Sequence, residues 1–387
     1  MTTVLIAFAD TGGGHRAAAL AVRDAIHANG DDVDVILRDP YAQSARWPFP
    51  TIRYLYPHVV QHAAWLWRTA FRVTNRPRVV SWLQRAAWPV LRQGFSALRD
   101  TAPDLIVCTH PLLTAPLRRS FPTTPIIVVV TDLVSGHVSW YDRDADMVIV
   151  PTEAARLAAI RAGVSSELLR VVGLPVSPAF TAVPGERGAL QTALGWTTER
   201  ATVLLAGGAE GIGSIEALAV AIDRAQLPCD IAVVAGRNYS LAKRLRARRW
   251  QGTVHVYDYV TNFAELVRAA SALVTKAGPG TIAEACASGC PLILTSAIED
   301  QETGNVDFVT QGRAGVWAPS SLATTVALHA WLVGRDAPAA LRRAATGALK
   351  LARPNAAADI ATLIRDAMAV TLMRSQLDTR PREAEAA

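Results

Sequence analysis

Lysine is nearly missing from this 387-residue chain: Lys243, Lys276 and Lys350 are the only three, so the formal charge of +6 rests on arginine. Cysteine is scarce too. Cys108, Cys229, Cys286 and Cys290 form no C-x-x-C pair, which speaks against a zinc site and for reduced thiols in a cytosolic protein. No stretch approaches the roughly 18 to 20 uninterrupted apolar residues of a spanning helix, and the candidate Ile126 to Val130 reads as a buried strand. About six apolar residues precede the first glycines, too few for a signal peptide and without its basic flank, so a cytoplasmic protein is expected. No G-K-[ST] follows the first glycine loop, which excludes a Walker A site. Acidic residues are absent from Tyr41 to Arg99, where average composition would put about five. The same segment holds nine arginines and five of the ten tryptophans, Trp47, Trp65, Trp67, Trp82 and Trp88.

What is present is a hydrophobic share of 51%, enough for two globular domains with full cores. Short apolar runs at 3–8, 33–37, 105–108, 126–131 and 147–150 are separated by helical stretches, as parallel strands buried on both faces require. A second series, beginning at 202, 230, 253, 272 and 291, repeats the design. The expectation is an α/β fold of two doubly wound halves. Between them GLPVSPAF (173–180), with Pro184 and Gly185 beyond it, has the composition of a hinge. The expected domains are 1–178 and 179–350, then a C-terminal helix over 351–375 that can pack back on the first domain, and a flexible tail, 376–387. The alanine-rich stretch from Leu322 to Val370 reads as one long helix interrupted near Pro354.

Each half places glycines directly after its first strand and before a helix: Gly12, Gly13 and Gly14, then Gly207, Gly208, Gly211 and Gly213. Gly278 and Gly280 follow a later strand. Glycine lets a ligand approach the backbone, and the following helix offers free N–H groups and the positive end of its dipole. All three loops suit anions. The first also fits G-x-G-x-x-A through Gly12, Gly14 and Ala17, with Asp39 as ribose acid, which keeps a dinucleotide site open. His15, however, stands where a phosphate binder would offer lysine. In the first turn of a helix the dipole disfavours its cation, so the imidazole is expected neutral at pH 7 and able to accept a proton; capping or interface packing is the competing reading.

Residues 276 to 305 carry the strongest signal. Lys276 to Gly280 opens a helix starting near Thr281, on whose N-terminus a diphosphate can rest, and Glu284, about one turn in, can accept two ribose hydroxyls. Gln301, Glu302 and Asn305 follow a strand at its C-terminal end, where open α/β sheets bind ligands. The outline is that of a nucleotide-sugar site, although each residue taken singly also reads as a solvated acid or a polar loop.

Six motifs in order, DTGGGHRAAA (10–19), TDLVSGHVSWY (131–141), GGAEGIG (207–213), AGRN (235–238), TKAGPGTIAEA (275–285) and DQETGN (300–305), resemble those of monogalactosyldiacylglycerol synthases and the related processive diacylglycerol glucosyltransferases of glycosyltransferase family 28. The resemblance spans residues 3 to 320. It implies a GT-B fold, two Rossmann-like domains facing across a cleft, with the lipid acceptor on the first and a UDP-sugar on the second. It also implies inversion at the anomeric carbon and no bound metal or other cofactor. Carried over by position, Glu284 would hold the uridine ribose, Gln301 and Glu302 the sugar hydroxyls, and His15 would face the acceptor oxygen, with Asp132 and His137 as rival bases. Gly207, Gly208, Gly211, Gly213, Arg237, Asn238, Lys276, Gly278, Gly280, Thr281 and Asn305 complete the donor set; Gly12, Gly13, Gly14 and Trp140 form the acceptor loop. Peptidoglycan N-acetylglucosamine transferases share the outline more distantly. The segment 41–99 matches no family motif.

The expected reaction moves galactose or glucose, galactose favoured, from UDP to diacylglycerol. A single in-line displacement needs a base for the hydroxyl and charge stabilisation for the leaving diphosphate. Here the helix at Thr281, the amides of 207–213 and Arg237 or Lys276 would stand in for a divalent ion. Asp142, Asp144 and Asp146 spell D-x-D-x-D and are read as a solvated turn rather than a manganese site. In the acid-free segment, arginines attract anionic headgroups by about 1 kcal/mol each and tryptophans favour the headgroup zone. Trp65, Trp67, Arg68, Arg72 and Trp82 are therefore expected to hold the protein peripherally on the inner face of an anionic membrane, with ordinary core tryptophans as the alternative. Another lipid acceptor and a nucleotide-sugar epimerase remain open; nucleic-acid binding would rest on charge alone and is not expected.

Overall fold

The structure, a computed structural model, describes residues 2–10, 13–30, 32–43, 64–181, 183, 185–211 and 213–378. In the first half β1 (Thr2–Ala7), β2 (Val33–Arg38), β3 (Leu105–Cys108), β4 (Ile126–Val129), β5 (Met147–Val150) and β6 (Leu169–Val171) form a parallel sheet in the order β2-β1-β3-β4-β5-β6. Its helices are α1 (Gly14–Ala28), α2 (Pro40–Gln43), α3 (Ala64–Thr74), α4 (Pro77–Ser96), α5 (Thr114–Ser120) and α6 (Glu153–Arg161). The second half pairs β7 (Ala201–Ala206), β8 (Cys229–Val234), β9 (Val254–Tyr257), β10 (Ala272–Lys276), β11 (Leu292–Ser296) and β12 (Gly315–Trp317) in the order β12-β11-β10-β7-β8-β9, again all parallel. Around it lie α7 (Arg187–Ala193), α8 (Ile215–Arg224), α9 (Tyr239–Ala247), α10 (Phe263–Ala269), α11 (Pro279–Ala287), α12 (Thr303–Gln311), α13 (Ser321–Leu332) and α14 (Ala337–Leu351). The central strands are apolar on both faces because each sheet has a core on either side.

The last helix, α15 (Ala356–Asp378), leaves the second half and returns to the first. Its Ala357, Ile360, Ala361, Ile364 and Met368 pack with Val4, Ile6, Val22 and Val129. Where the chain passes between the halves, Gly173 has φ 135°, and a Cβ there would lie 2.6 Å from that of Arg353 and 2.9 Å from that of Ala356. The two crossings therefore run against each other at one place.

Three details differ from the sequence reading. β6 and β12, three residues each, are edge strands too short to show a pattern. The alanine-rich stretch breaks twice, not once: Gly334 at φ 96° follows the end of α13, and Pro338 sits in the first turn of α14. The second break, between α14 and α15, falls at Pro354 as expected.

Strand order positions the site. The order reverses between β1 and β3 and between β7 and β10, and at such a reversal the neighbouring loops diverge and leave a crevice. In the first half this sets the loops after β1 and β3 side by side, Ala7 pairing with Cys108 and Thr109 N donating to Ala7 O at 3.0 Å. In the second, Ala206 pairs with Thr275, so the loops after β7 and β10 are neighbours.

Candidate active site

The first wall is built on the mouth of α1. Gly13 caps that helix at φ 84°, a left-handed conformation glycine adopts without strain, while Gly12 lies outside the described residues. Nothing stands within 4 Å of where a Cβ of Gly14 would be, so the mouth is open. His15 follows. Its Nδ1 is 2.9 Å from Thr131 Oγ1, and its carbonyl accepts from Thr109 Oγ1 at 3.1 Å. The ring meets His110 edge-on with centroids 4.7 Å apart and lies 5.8 Å from Trp140. Burial among these groups pushes its pKa down to about 4, against the opposing pull of the Thr109 backbone and the Asp10 charge. The imidazole is neutral, with desolvation as the dominant cause. Spacing in the sequence does not single out Thr131, Thr109 or His110; strand order brings them together. Asp39, the possible ribose acid, accepts from the backbone N–H groups of Asp10, Tyr41 and Ala42 at 3.0 Å each, which leaves the dinucleotide pattern without its acid.

Asp132 projects from the same wall. Trp140 Nε1 donates to its Oδ2 at 2.7 Å, and Trp140 is fully buried, so it fixes this carboxylate from within instead of lining an acceptor loop. Burial raises Asp132 to about 6; the Trp140 bond opposes the rise and the Glu302 charge adds to it. His137 is turned away. Its Nδ1 accepts from Ser139 N at 3.2 Å and lies 2.7 Å from Ser139 Oγ, while Nε2 is 3.1 Å from Thr74 Oγ1, which itself donates to Ala70 O. Both ring nitrogens are thus engaged inside the fold. Of the three aspartates before β5, Asp142 Oδ1 accepts from Asp144 N, and Asp146 Oδ2 accepts from Arg118 and from Ile126 N.

The second wall begins at α11. Its N-cap is Gly278, Pro279 has no N–H, and the first helical bond runs from Ile282 N to Gly278 O at 3.0 Å. The amides of Gly280 and Thr281 are left for an anion. Glu284, one turn in, makes no side-chain hydrogen bond among the described residues, and burial pushes it up to about 7. Gln301 Oε1 and Asn305 Oδ1 are buried without a partner, although Asn305 Nδ2 donates to Ala277 O at 2.9 Å. Buried polar atoms left open in this way mark where a hydroxylated ligand would complete the bonding. Glu302 is already held: Lys276 Nζ donates to Oε1 at 2.5 Å and Ile298 N to Oε2 at 3.0 Å. Lys276 is accordingly engaged by Glu302.

The loops after β7 and β8 are laced together. A Cβ on Gly211 (φ 59°) would lie 2.1 Å from Ala235 O, so only glycine fits, and Arg237 N donates to Ala209 O at 2.8 Å. Gly207 ends the β7 run, and Gly208 and Gly213 complete the turn. Arg237 pairs with Glu210 at 2.6 Å and lies over the Tyr259 ring. Asn238 caps α9 through Leu241 N, with its Oδ1 also accepting from Ser240 Oγ.

The walls face each other. Gly13 abuts Ala209, the Asp10 charge reaches Arg237, and the Glu302 and Lys276 charges reach Asp132. A Cβ on Gly304 would lie 2.5 Å from Ser135 Oγ, so α12 starts directly against the Asp132 loop. His15 and Asp132 therefore share one cleft with Lys276, Glu302 and Arg237.

On the outside, Trp65 and Trp82 are 72% and 66% exposed, Leu66, Val73 and Leu83 are exposed beside them, and Trp67 is half-buried. Arg68 and Arg72, expected at lipid headgroups, instead point to the second half: Arg68 pairs with Glu299 at 2.9 Å and Arg72 with Asp300 at 2.6 Å. Arg76, Arg78, Arg85 and Arg92 are exposed and form no ion pair among the described residues. No described helix is long and apolar enough to cross a membrane.

Comparison with known proteins matches both walls. The family model described as monogalactosyldiacylglycerol (MGDG) synthase covers residues 15–176, and that of the glycosyltransferase family 28 C-terminal domain covers 202–328. A probable chloroplastic monogalactosyldiacylglycerol synthase of Nicotiana tabacum is 37% identical over 91% of this chain and 68% of its own. The chloroplastic synthase of Spinacia oleracea is 36% identical over 91% and 70%. Among solved structures, Acinetobacter baumannii MurG (TM-score 0.59, 15% identity, 95% of this chain, 100% of its own) shares the fold. So does UDP-GlcNAc 2-epimerase from Neisseria meningitidis bound to UDP-GlcNAc (0.61, 11%, 94%, 100%).

Proposed function

The chain belongs to the monogalactosyldiacylglycerol synthase family of GT-B glycosyltransferases, and from that premise we propose that it transfers galactose from UDP to diacylglycerol with inversion, working peripherally on the cytoplasmic inner face of a membrane. The observation that carries the reading is one cleft with a neutral imidazole on one wall and, on the other, a helix mouth beside Glu284 and the unpartnered oxygens Gln301 Oε1 and Asn305 Oδ1. In this scheme Glu284 accepts the ribose hydroxyls, Gln301 and Glu302 the sugar hydroxyls, and the amides of Gly280 and Thr281, with Arg237, receive the diphosphate. With the proton of the neutral ring on Nδ1, 2.9 Å from Thr131 Oγ1, the scheme leaves Nε2 to take the proton of the attacking alcohol. A base of pKa about 4 is weak by itself; a bound diphosphate, being negative, would act in the same direction as Asp10 and raise its basicity. Proton abstraction then waits for the donor.

The exposed Trp65, Leu66, Val73 and Trp82, with Arg76 and the α4 arginines Arg78, Arg85 and Arg92, which form no ion pair among the described residues, support contact with an anionic membrane surface, which the acceptor's two acyl chains require. The test is to incubate the pure protein with labelled UDP-galactose and UDP-glucose in parallel, with diacylglycerol in anionic micelles. One labelled galactolipid, formed equally in EDTA, is the expected product. Strict manganese dependence would refute the anion site as drawn, a glucolipid would change the donor, and turnover of UDP-sugar without lipid would make the protein an epimerase.

A further inference from the structure

We propose that Arg68 and Arg72 are positioning residues for the sugar donor: through Glu299 and Asp300 they hold the loop bearing Gln301 and Glu302 against the loop bearing Asp132. The inference rests on the donor reading above and adds the element that closes it.

α3 belongs to the first half yet grips both loops. At its C-terminal end Thr74 Oγ1 meets His137 Nε2 at 3.1 Å, Asn75 Oδ1 accepts from Val138 N at 2.8 Å, and Phe71 packs edge-on against His137. The segment carrying Asp132 is thereby tied to the helix. From the same helix Arg72 makes a two-point contact with Asp300, Nε to Oδ2 at 2.6 Å and Nη2 to Oδ1 at 3.2 Å, a geometry that fixes direction as well as attracting. Arg68 adds Glu299 at 2.9 Å.

Asp300 has φ 67°, a conformation that a non-glycine residue keeps only where its surroundings over-determine it. Besides Arg72, its N–H donates to Thr303 Oγ1 at 3.3 Å. On the far side of Gln301, Glu302 is held by Lys276 and Ile298 N. Gln301 thus sits between two anchored carboxylates, one anchored by each half of the molecule, and its buried Oε1 has no partner. The Arg72 anchor is exposed and ionic, hence releasable; the Lys276 anchor is more buried, on the Glu302 side above all.

The test compares Arg72→Ala, Asp300→Asn and the double variant in the full-length protein. Either single change is expected to raise KM for the UDP-sugar about fivefold, the scale of one well-formed exposed pair, and the double no further. kcat, the acceptor KM and the calorimetric affinity for UDP alone stay as in the wild type, because UDP lacks the sugar that this loop meets. Arg72→Lys, which keeps charge but loses the two-point contact, falls between. Raising salt from about 50 to about 500 mM reproduces the shift in the wild type and not in the double variant. Effects that multiply in the double, or an Arg72→Ala effect confined to the acceptor KM with Asp300→Asn silent, would overturn the proposal. A wild-type protein that binds no UDP overturns the donor reading together with this one. A wild type that binds UDP alongside variants with unchanged donor KM overturns this one only.

Discussion

His15, Asp132 and Glu284 all titrate away from their ordinary values because burial penalises their charged forms, and each shift has a sign that can be measured. With His15 at about 4 and Asp132 at about 6, both are deprotonated at pH 7. We expect kcat/KM to fall on the acid side near pH 6, the limb to move toward pH 4 in Asp132→Asn, and His15→Ala to lose about 10²- to 10⁴-fold. A larger loss in Asp132→Asn than in His15→Ala would make Asp132 the base. Glu284 is raised in the fold from 4.5 to about 7, so the native state is penalised increasingly as pH rises through that window. Glu284→Gln should therefore melt higher than the wild type at pH 8, by a margin that shrinks toward pH 5, and lose affinity for UDP; melting curves and calorimetry check both. These residues stand out in the sequence as candidates by their place beside glycines and strand ends. Thr131 as partner of His15, and the removal of Asp39 and His137 into internal hydrogen bonds, were not, because those follow from strand order and from hydroxyls whose partners are remote in sequence.

α3 shows how far periodicity reaches at the scale of an element. Trp67, Ala70 and Phe71 recur at helical spacing, and the fold buries Phe71 while leaving Trp65, Leu66 and Val73 outside. Its arginines could not be assigned that way, since Arg72 and Asp300 are 228 residues apart. The central strands were legible because both faces are buried and the runs are continuous. β6 and β12 carry too few residues, and the alanines continue past Gly334 as if the helix did. The outer face makes its own prediction. Trp65→Ser with Trp82→Ser should reduce cosedimentation with anionic liposomes several-fold and leave UDP affinity unchanged, since both rings are mostly exposed and neither belongs to the donor set. Replacing Arg76, Arg78, Arg85 and Arg92 by glutamine should weaken the same binding most at low salt.

For the molecule as a whole, the duplication of one doubly wound design was visible in the sequence, and it predicts where the cleft lies: at the strand-order reversal of each sheet. The sequence offered the last helix as one that can pack back on the first domain; its seat against Val4 and Ile6 is what the structure adds. Because Ile360, Ala361 and Ile364 complete the packing around Val4 and Ile6, residues 1–178 should be insoluble when expressed alone and recover when 352–378 is supplied as a separate peptide, as gel filtration would show. During translation the portion synthesised first stays open along one side until the final helix leaves the ribosome, while the later portion can settle at once. A premature stop near residue 350 would thus cripple not the end of the protein but its beginning.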